Sequence, residues 1–292
     1  MSPKAKCFFY YCLQITLYFV AFFLIVKNFN FIKLDIATLI LTLIAVVVVQ
    51  FIKAMRLYIA LYGNNISSSD YIVTYCKAAP ITVIFPFKLG ELYRIYCFGR
   101  LLSNWLKALV IILLDRFFDT LALITTILFF QVSNKGSFSP LIFILFLFLF
   151  IVAFVFVSFP RIYGFWSNYI LCLKATPNRL KILSILDKFK KIYCEIDNVV
   201  KGRGMILLIL SFAAWIIEIG LLLIMNMFKM GIGSSENYVT ILDYLMSAIF
   251  NKPNVEMLNF TFISFIVVFT AFCILFVLRN CEKRNENRSL LR

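Results

Sequence analysis

The sequence predicts an all-α polytopic membrane protein, and three properties of the whole chain support this fold class. Of its 292 residues, 63% are hydrophobic and the mean hydropathy is +0.95, whereas soluble domains are about 45–50% apolar. The apolar residues form continuous runs rather than the alternating pattern of a membrane β-barrel, so we expect helical spans. The net charge is +15, and most basic residues lie between apolar runs. This distribution favours cytoplasmic loops and anionic head groups over a nucleic-acid partner.

Six apolar runs are long enough to cross a bilayer as helices, which takes about 20 residues. These predicted full spans are Phe8–Val26, Leu34–Ile52, Trp105–Phe130, Leu141–Phe159, Met205–Phe228 and Leu258–Leu278. The first span follows Lys4 and Lys6, as a signal peptide would, but it lacks a small-residue cleavage site, so we expect it to be retained. The second span is closed by Lys53 and Arg56, which we place at the cytoplasmic end of that helix.

Two further apolar segments are too short or too interrupted for full spans, which predicts re-entrant helices. The first, Tyr71–Phe87, contains Pro80 and runs into Pro86, and it belongs to a re-entrant motif over residues 71–100. The second, Tyr238–Phe250, ends at Asn251-Lys252-Pro253. If the first motif makes two short crossings instead, the total rises to eight transmembrane helices and the orientation is unchanged. Before it, a Gly63-Asn64-Asn65 turn and the run Ser67–Asp70 predict a helix start.

The distribution of charge predicts the orientation of the chain. Residues 161–203 hold nine Lys and Arg against three acidic residues, and the tail 280–292 is also basic, so both are expected in the cytoplasm. With six full spans, the N-terminus then lies on the same side. Within the loop, Leu180–Val200 has apolar residues at helical spacing, which predicts a basic amphipathic helix at the membrane surface. These residues are Ile182, Ile185, Leu186, Phe189, Ile192 and Ile196.

The whole chain, residues 1–292, is predicted to be one transmembrane domain of a cell (inner or plasma) membrane. Its parts are a first half (1–160), the cytoplasmic loop (161–203), a second half (204–279) and the basic tail (280–292). Histidine is absent, and the eight cysteines show no CxxC spacing, which argues against His-dependent catalysis and a zinc site. No nucleophile is paired with a base. We therefore expect a protein that is not an enzyme and that holds no metal or cofactor.

Charge is concentrated in one stretch of this apolar sequence, Pro80–Asp119. An ionisable side chain in hydrocarbon costs about 2.5–3.5 kcal/mol on insertion scales, so such residues mark candidate sites. Pro86 and Gly90 interrupt the helix, and broken backbone at membrane depth requires a protein or polar environment. The ionisable residues of the stretch are Lys88, Glu91, Arg94, Arg100, Lys107, Asp115, Arg116 and Asp119.

The spacing of these residues predicts an internal network of ion pairs. Glu91 and Arg94 are three residues apart and share a helical face. We expect both to pair with Arg116 and Asp119, which leaves one guanidinium or Lys88 to bind a phosphate. The alternative is a purely architectural network that pins the re-entrant hairpin.

Spacing along the chain assigns no partner to four other ionisable residues. We expect Asp115, Lys107 and Arg100 at the membrane interface. Glu218 follows Trp215 within an apolar run, where it could snorkel, pair two helices, or sense a proton or a cationic head group.

The charged stretch resembles a motif of the membrane domain of bacterial lysylphosphatidylglycerol synthases, which also occurs as stand-alone flippase-like proteins in bacteria and archaea. The resemblance rests on Pro86-Phe-Lys-Leu-Gly90-Glu91-Leu-Tyr-Arg94, followed by Asp115-Arg116-Phe-Phe-Asp119-Thr-Leu121. Trp215-Ile-Ile-Glu218 is similar to a later span of that family. The resemblance implies a lipid-phosphate site formed by Arg94, Arg116 and Lys88. It also implies a supporting network of Glu91, Asp119, Asp115, Glu218, Pro86 and Gly90.

Such a family implies movement of aminoacylated or other anionic lipids between leaflets. We therefore expect a flippase-like protein whose partners are an anionic phospholipid or a polyprenyl-phosphate glycan. The second half departs from the family, because Asn251-Lys-Pro253-Asn-Val-Glu256 lacks the expected glycines, and no aminoacyl-transferase domain is recognisable. The alternative is a non-catalytic accessory subunit of a lipid or polysaccharide glycosyltransferase or of a polyprenyl-phosphate pathway.

Overall fold

The computed structural model describes residues 36–84, 89–133, 140–172, 176–230, 234–250 and 255–289, together with Phe23. Nearly all of them are helical and none of them forms a strand, which confirms the all-α prediction. The predicted first span Phe8–Val26 (except Phe23), Pro86, Lys88 and Asn251-Lys252-Pro253 lie outside the described residues.

Nine helices make up the described part of the chain, numbered here from its N-terminal end. They are α1 (Ile36–Leu61), α2 (Ser68–Ile84), α3 (Leu89–Leu101), α4 (Trp105–Ser133), α5 (Pro140–Cys172), α6 (Pro177–Val200), α7 (Gly204–Met230), α8 (Ser234–Phe250) and α9 (Val255–Ser289).

Four of the described helices are long and apolar enough to cross a membrane. The qualifying segments are Ile36–Leu61 in α1, Ile142–Cys172 in α5, Gly204–Met225 in α7 and Leu258–Arg279 in α9. Helix α4 is 29 residues long, but it carries the charged residues of the central motif near its middle. A membrane-embedded helical protein is thus supported, whereas six to eight crossings and cytoplasmic termini stay predictions.

Helix α1 does not end where the sequence suggested. It continues past Ile52 to Leu61, so Lys53 and Arg56 lie inside the helix, which corrects their expected place at its cytoplasmic end. The helix stops at the predicted turn, where Gly63 has φ +89° and Asn64 Nδ2 donates to Leu61 O at 2.7 Å. Helix α2 then begins at Ser68, as the cap pattern predicted.

Within the hydrophilic stretch 161–203, residues 161–172 and 177–200 are helical rather than loop, so the helix of the fourth predicted span does not end at Phe159. Helix α5 continues through Pro160 to Cys172. After Thr176, which has extended backbone, Pro177 starts α6 in the position that suits proline. The amphipathic helix is therefore confirmed, and it begins three residues before Leu180.

Helices α2 and α3 pack against each other as the predicted pair of half-helices. A Cβ atom added at Gly90 would lie 2.5 Å from the Cα of Thr82, so only glycine allows this approach. Gly90 therefore allows a close backbone contact between the two helices. Whether the pair re-enters or crosses the membrane stays a prediction.

Two hydrophobic clusters form the core of the described helices. The first includes Phe98 and Ile111, and the second includes Ile127 and Trp215. On α4, the first cluster uses residues 108–118 and the second uses residues 122–128. The charged residues of α4 thus lie where the two clusters meet, and α7, the main neighbour of α1, contributes to both.

Candidate functional site

Arg56 on α1 is the centre of the charged site, whereas the sequence predicts it at the end of the second span. Its side chain is only 2% exposed. Nε donates to Asp115 Oδ1 at 2.6 Å, and Nη1 donates to Asp119 Oδ1 at 2.6 Å and to Ser211 Oγ at 2.9 Å. One guanidinium therefore joins α1, α4 and α7.

The structure explains the burial of Arg56. Val49 and Leu57 are fully buried on α1, and Arg56 follows Val49 by seven residues, so both lie on the same helical face. Residues 43–49 are all apolar, so the sequence alone does not show which face of α1 is buried. The charge that follows this apolar run predicts a helix end instead.

Asp115 is fully buried among other side chains, while its level relative to the membrane interface stays a prediction. Besides Arg56, it accepts a hydrogen bond from Arg94 Nη1 at 3.3 Å. The Arg94 guanidinium also lies 5.8 Å from the centre of the Tyr75 ring, a cation–π distance. Asp115 therefore links α1 and α3 through two arginines, and α2 covers one of them.

The four residues that were predicted to pair do lie together. Arg116 contacts Glu91 through Nη2 and Oε1, and its Nη1 lies 3.7 Å from Asp119 Oδ2. Arg94 Nη1 lies 3.7 Å from Glu91 Oε2. The expected pairing is thus found. Asp115, expected in the supporting network, joins it, and Arg56 is an additional member.

We call these six side chains the Arg56 cluster: Arg56, Arg94, Arg116, Glu91, Asp115 and Asp119. The cluster contains three guanidinium groups and three carboxylates, so its formal charges cancel. Its members differ in how far their side chains are exposed. The Arg116 side chain is 41% exposed, whereas that of Arg94 is 6% exposed. The Nε atom of Arg116, however, is enclosed by the protein and has no hydrogen-bond partner.

A second ion pair connects α1 to α7 one helical turn before Arg56. Lys53 Nζ lies 2.9 Å from Glu218 Oε1, and Tyr244 on α8 donates to Glu218 Oε2 at 3.2 Å. The Lys53 ammonium also lies 5.9 Å from the centre of the Trp215 ring. Glu218 is therefore a helix-pairing residue rather than a snorkelling one.

A small cavity adjoins Glu218. It has a volume of about 10 Å³ and is lined by Thr42, Tyr244 and Asn259 among others, which is space for about one water molecule. Each of α1, α7, α8 and α9 contributes one polar side chain to its wall, which is otherwise apolar.

The other predicted site residues lie away from the cluster or outside the described part. Lys107 Nζ lies 3.5 Å from Glu195 on α6, and Arg100 donates to Tyr96 Oη at 3.2 Å on the exposed surface. Lys88 and Pro86 fall in the gap at residues 85–88. Within the described ranges, no three His, Cys, Asp or Glu side chains are grouped to hold a metal ion.

Comparison with known proteins adds no assignment. No family model, no curated protein and no solved structure matches the chain. The charged side chains and their surroundings therefore carry the functional argument.

Proposed function

We propose that the protein is a flippase-like membrane protein, not an enzyme, that binds the phosphate of an anionic phospholipid or lipid-linked glycan and moves this lipid between leaflets. The observation that carries the proposal is the partial exposure of Arg116 at the edge of an otherwise enclosed charge cluster. A partly exposed arginine side chain is suited to bind a phosphate oxygen.

The neighbours of Arg116 support this role. Glu91 and Asp119 hold two of its nitrogens, which would fix the plane of the guanidinium. A phosphate would have to share the guanidinium with these carboxylates, so binding would be reversible rather than tight. Reversible binding is what a transporter requires.

Arg94 and Lys88, the other two residues expected to bind phosphate, have different roles in the proposal. Arg94 is buried against Asp115 and Tyr75, so we place it in the supporting network rather than in contact with lipid. Lys88 adjoins Gly90 in sequence and remains a proposed second phosphate ligand. Glu218, together with Lys53, supports the interior next to the cluster.

Lipid movement also needs a polar element within the apolar bundle, because a charged head group in hydrocarbon is costly. The Arg56 cluster supplies one at the junction of the two hydrophobic clusters. A head group at Arg116 would exchange water for guanidinium hydrogen bonds, which lowers the cost of entering the membrane. The proposed setting is a cell membrane.

The alternative function is a non-catalytic accessory subunit of a glycosyltransferase or polyprenyl-phosphate pathway. One observation favours it: the charges of the Arg56 cluster cancel, so the cluster can hold α1, α3, α4 and α7 together without any ligand. In that case Arg116 would be part of the architecture, and the exposed face of α6 would contact the partner.

Leaflet-resolved lipid accessibility in proteoliposomes tests the proposal. We would reconstitute wild type and Arg116→Gln with labelled phosphatidylglycerol or with a polyprenyl-phosphate sugar. Lys107→Gln is a matched control, because it removes a cation from the same helix without touching the cluster. We expect lipid movement in wild type and Lys107→Gln and its loss in folded Arg116→Gln.

Two results would contradict the proposal in different ways. Equal lipid movement by all three proteins would show that the cluster only stabilises the fold. The lipid would then cross the membrane along another part of the protein. No movement of either lipid by folded wild type would favour the accessory subunit. Capture of a partner that fails after charge reversal at Lys188 and Lys191 would then support that alternative directly.

A further inference from the structure

The end of α5 and the start of α6 form an exposed structure that the proposed function does not use. We call Arg161–Cys172 together with Pro177–Phe189 the α5–α6 tip. Tyr163 joins the two helices, since its hydroxyl donates to Asp187 at 2.9 Å and its ring lies 4.7 Å from Lys190 Nζ. The two parts of the tip are therefore held side by side.

The length of α5 places the tip at the edge of the membrane. The segment from Pro140 to Pro160 has no charged residue and, at about 1.5 Å per residue, is about 30 Å long. This matches the hydrocarbon thickness of a bilayer, about 30 Å. Arg161 is the first charge after this segment, so the tip begins at the level of the head groups.

Large aromatic side chains are exposed on the α5 side of the tip. Phe165 is 66%, Trp166 is 48% and Tyr169 is 52% exposed, and the rings of Phe165 and Tyr169 stack with centroids 6.3 Å apart. Tryptophan and tyrosine are enriched at the membrane–water interface, where the ring contacts lipid and the polar atom contacts water.

The apolar face of α6 is covered in one half and uncovered in the other. In the second half, Tyr193 packs against Phe156 and Phe159 of α5. In the first half, Ile182, Ile185 and Phe189 lie on the same face by their spacing, and each is about half exposed. The uncovered half belongs to the tip.

Positive charge flanks the uncovered face. Lys181 and Lys188 are seven residues apart, so both lie on one side of the helix next to the apolar stripe. Residues 161–203 hold nine basic residues against three acidic ones. An interfacial helix typically combines such an apolar face with flanking lysines, and anionic lipids attract each lysine near the surface.

We infer that the α5–α6 tip lies on the surface of the anionic leaflet, with Trp166 and the apolar face of α6 among the lipid head groups and Lys181 and Lys188 beside lipid phosphates. The interaction would anchor the α5–α6 tip, which lies between the two halves of the chain, to the cytoplasmic leaflet. It does not depend on lipid transport, because it uses none of the residues of the Arg56 cluster.

The depth of Trp166 tests this inference directly. The chain has three tryptophans, so Trp105→Phe with Trp215→Phe leaves Trp166 as the sole emitter in the full-length protein. We would reconstitute it into nanodiscs that contain phosphatidylglycerol and a nitroxide lipid labelled at the head group. We expect loss of Trp166 fluorescence with this lipid and protection from an aqueous quencher such as iodide.

The role of charge is tested in the same protein. Lys181→Gln with Lys188→Gln should restore iodide quenching and reduce nitroxide quenching in phosphatidylglycerol discs. Lys201→Gln is the matched control at the far end of α6, where Lys201 donates to Asp197 at 2.6 Å, an interaction that raises the pKa of the amine. This control should leave the depth of Trp166 unchanged.

Two quenching results would contradict the inference or a part of it. Strong iodide quenching without nitroxide quenching in phosphatidylglycerol discs would show that the tip stands in water, which overturns the inference and makes a protein partner the better explanation of the exposed face. Equal nitroxide quenching with and without the two lysines would overturn the role of anionic lipid.

Discussion

Arg56 and Asp115 are 59 residues apart in sequence, yet Arg56 Nε donates to Asp115 Oδ1 at 2.6 Å inside the helical bundle. Their side chains are 2% and 0% exposed. Removing one partner of a buried ion pair leaves an uncompensated charge, which typically costs about 3–5 kcal/mol. The pair therefore couples the position of α1 to the charged turn of α4.

The first prediction concerns this pair. Arg56→Ala should lower the free energy of unfolding by about 3–5 kcal/mol, because it leaves Asp115 and Asp119 without their shared partner. Arg100→Ala, an exposed arginine of α3, should change it by less than about 1 kcal/mol. Thermal unfolding in detergent measures both. An Arg56→Ala protein as stable as Arg100→Ala would contradict the burial of Arg56.

The second prediction separates the two other arginines of the cluster. Arg94→Gln should destabilise the fold more than Arg116→Gln, because Arg94 is enclosed beside Asp115 whereas much of the Arg116 side chain is exposed. Partly exposed ion pairs typically contribute about 0–1 kcal/mol. Chemical unfolding of the two variants gives the comparison. A larger loss for Arg116→Gln would assign Arg116 to the architecture and weaken its proposed contact with lipid.

The third prediction uses the contact between α2 and α3. Gly90→Ala should destabilise the protein, since the new methyl group would overlap the backbone of Thr82 and overpacking typically costs about 1–3 kcal/mol. Gly220→Ala on α7 is the control, because nothing lies within 4 Å of its added Cβ. There, alanine should stabilise the helix by about 0.5–1 kcal/mol. Opposite shifts in Tm are expected, and equal shifts would contradict the close approach.

The helical class was predictable because continuous apolar runs allow few other structures in a membrane. The ends of the helices were less predictable than the class. The sequence placed the end of the second span at Ile52 and that of the fourth at Phe159, in both cases because a charge follows. The structure continues both helices, since Arg56 finds carboxylate partners in the interior and the α5 extension packs against α6.

The site was predictable where its members are close in sequence. Glu91 and Arg94, as well as Arg116 and Asp119, are three residues apart, and helical spacing alone suggested that they share a face. Arg56 and Lys53 were missed because their partners lie on α4 and α7. No local pattern fixes such long-range pairs.

The last prediction concerns an asymmetry in the second ion pair. Lys53→Met should cost more stability than Glu218→Gln, although each removes the same bond. Without Lys53, the Glu218 carboxylate stays 96% enclosed, as its side chain is 4% exposed, with Tyr244 as its remaining donor. Without the carboxylate, the Lys53 ammonium, 28% exposed, can turn outward on its flexible stem. Unfolding of both single variants and the double variant gives the coupling energy, which is typically about 0.5–3 kcal/mol for residues in contact. Equal costs for the two single variants would mean that Glu218 also reaches water, and the neighbouring cavity would then have to be open rather than enclosed.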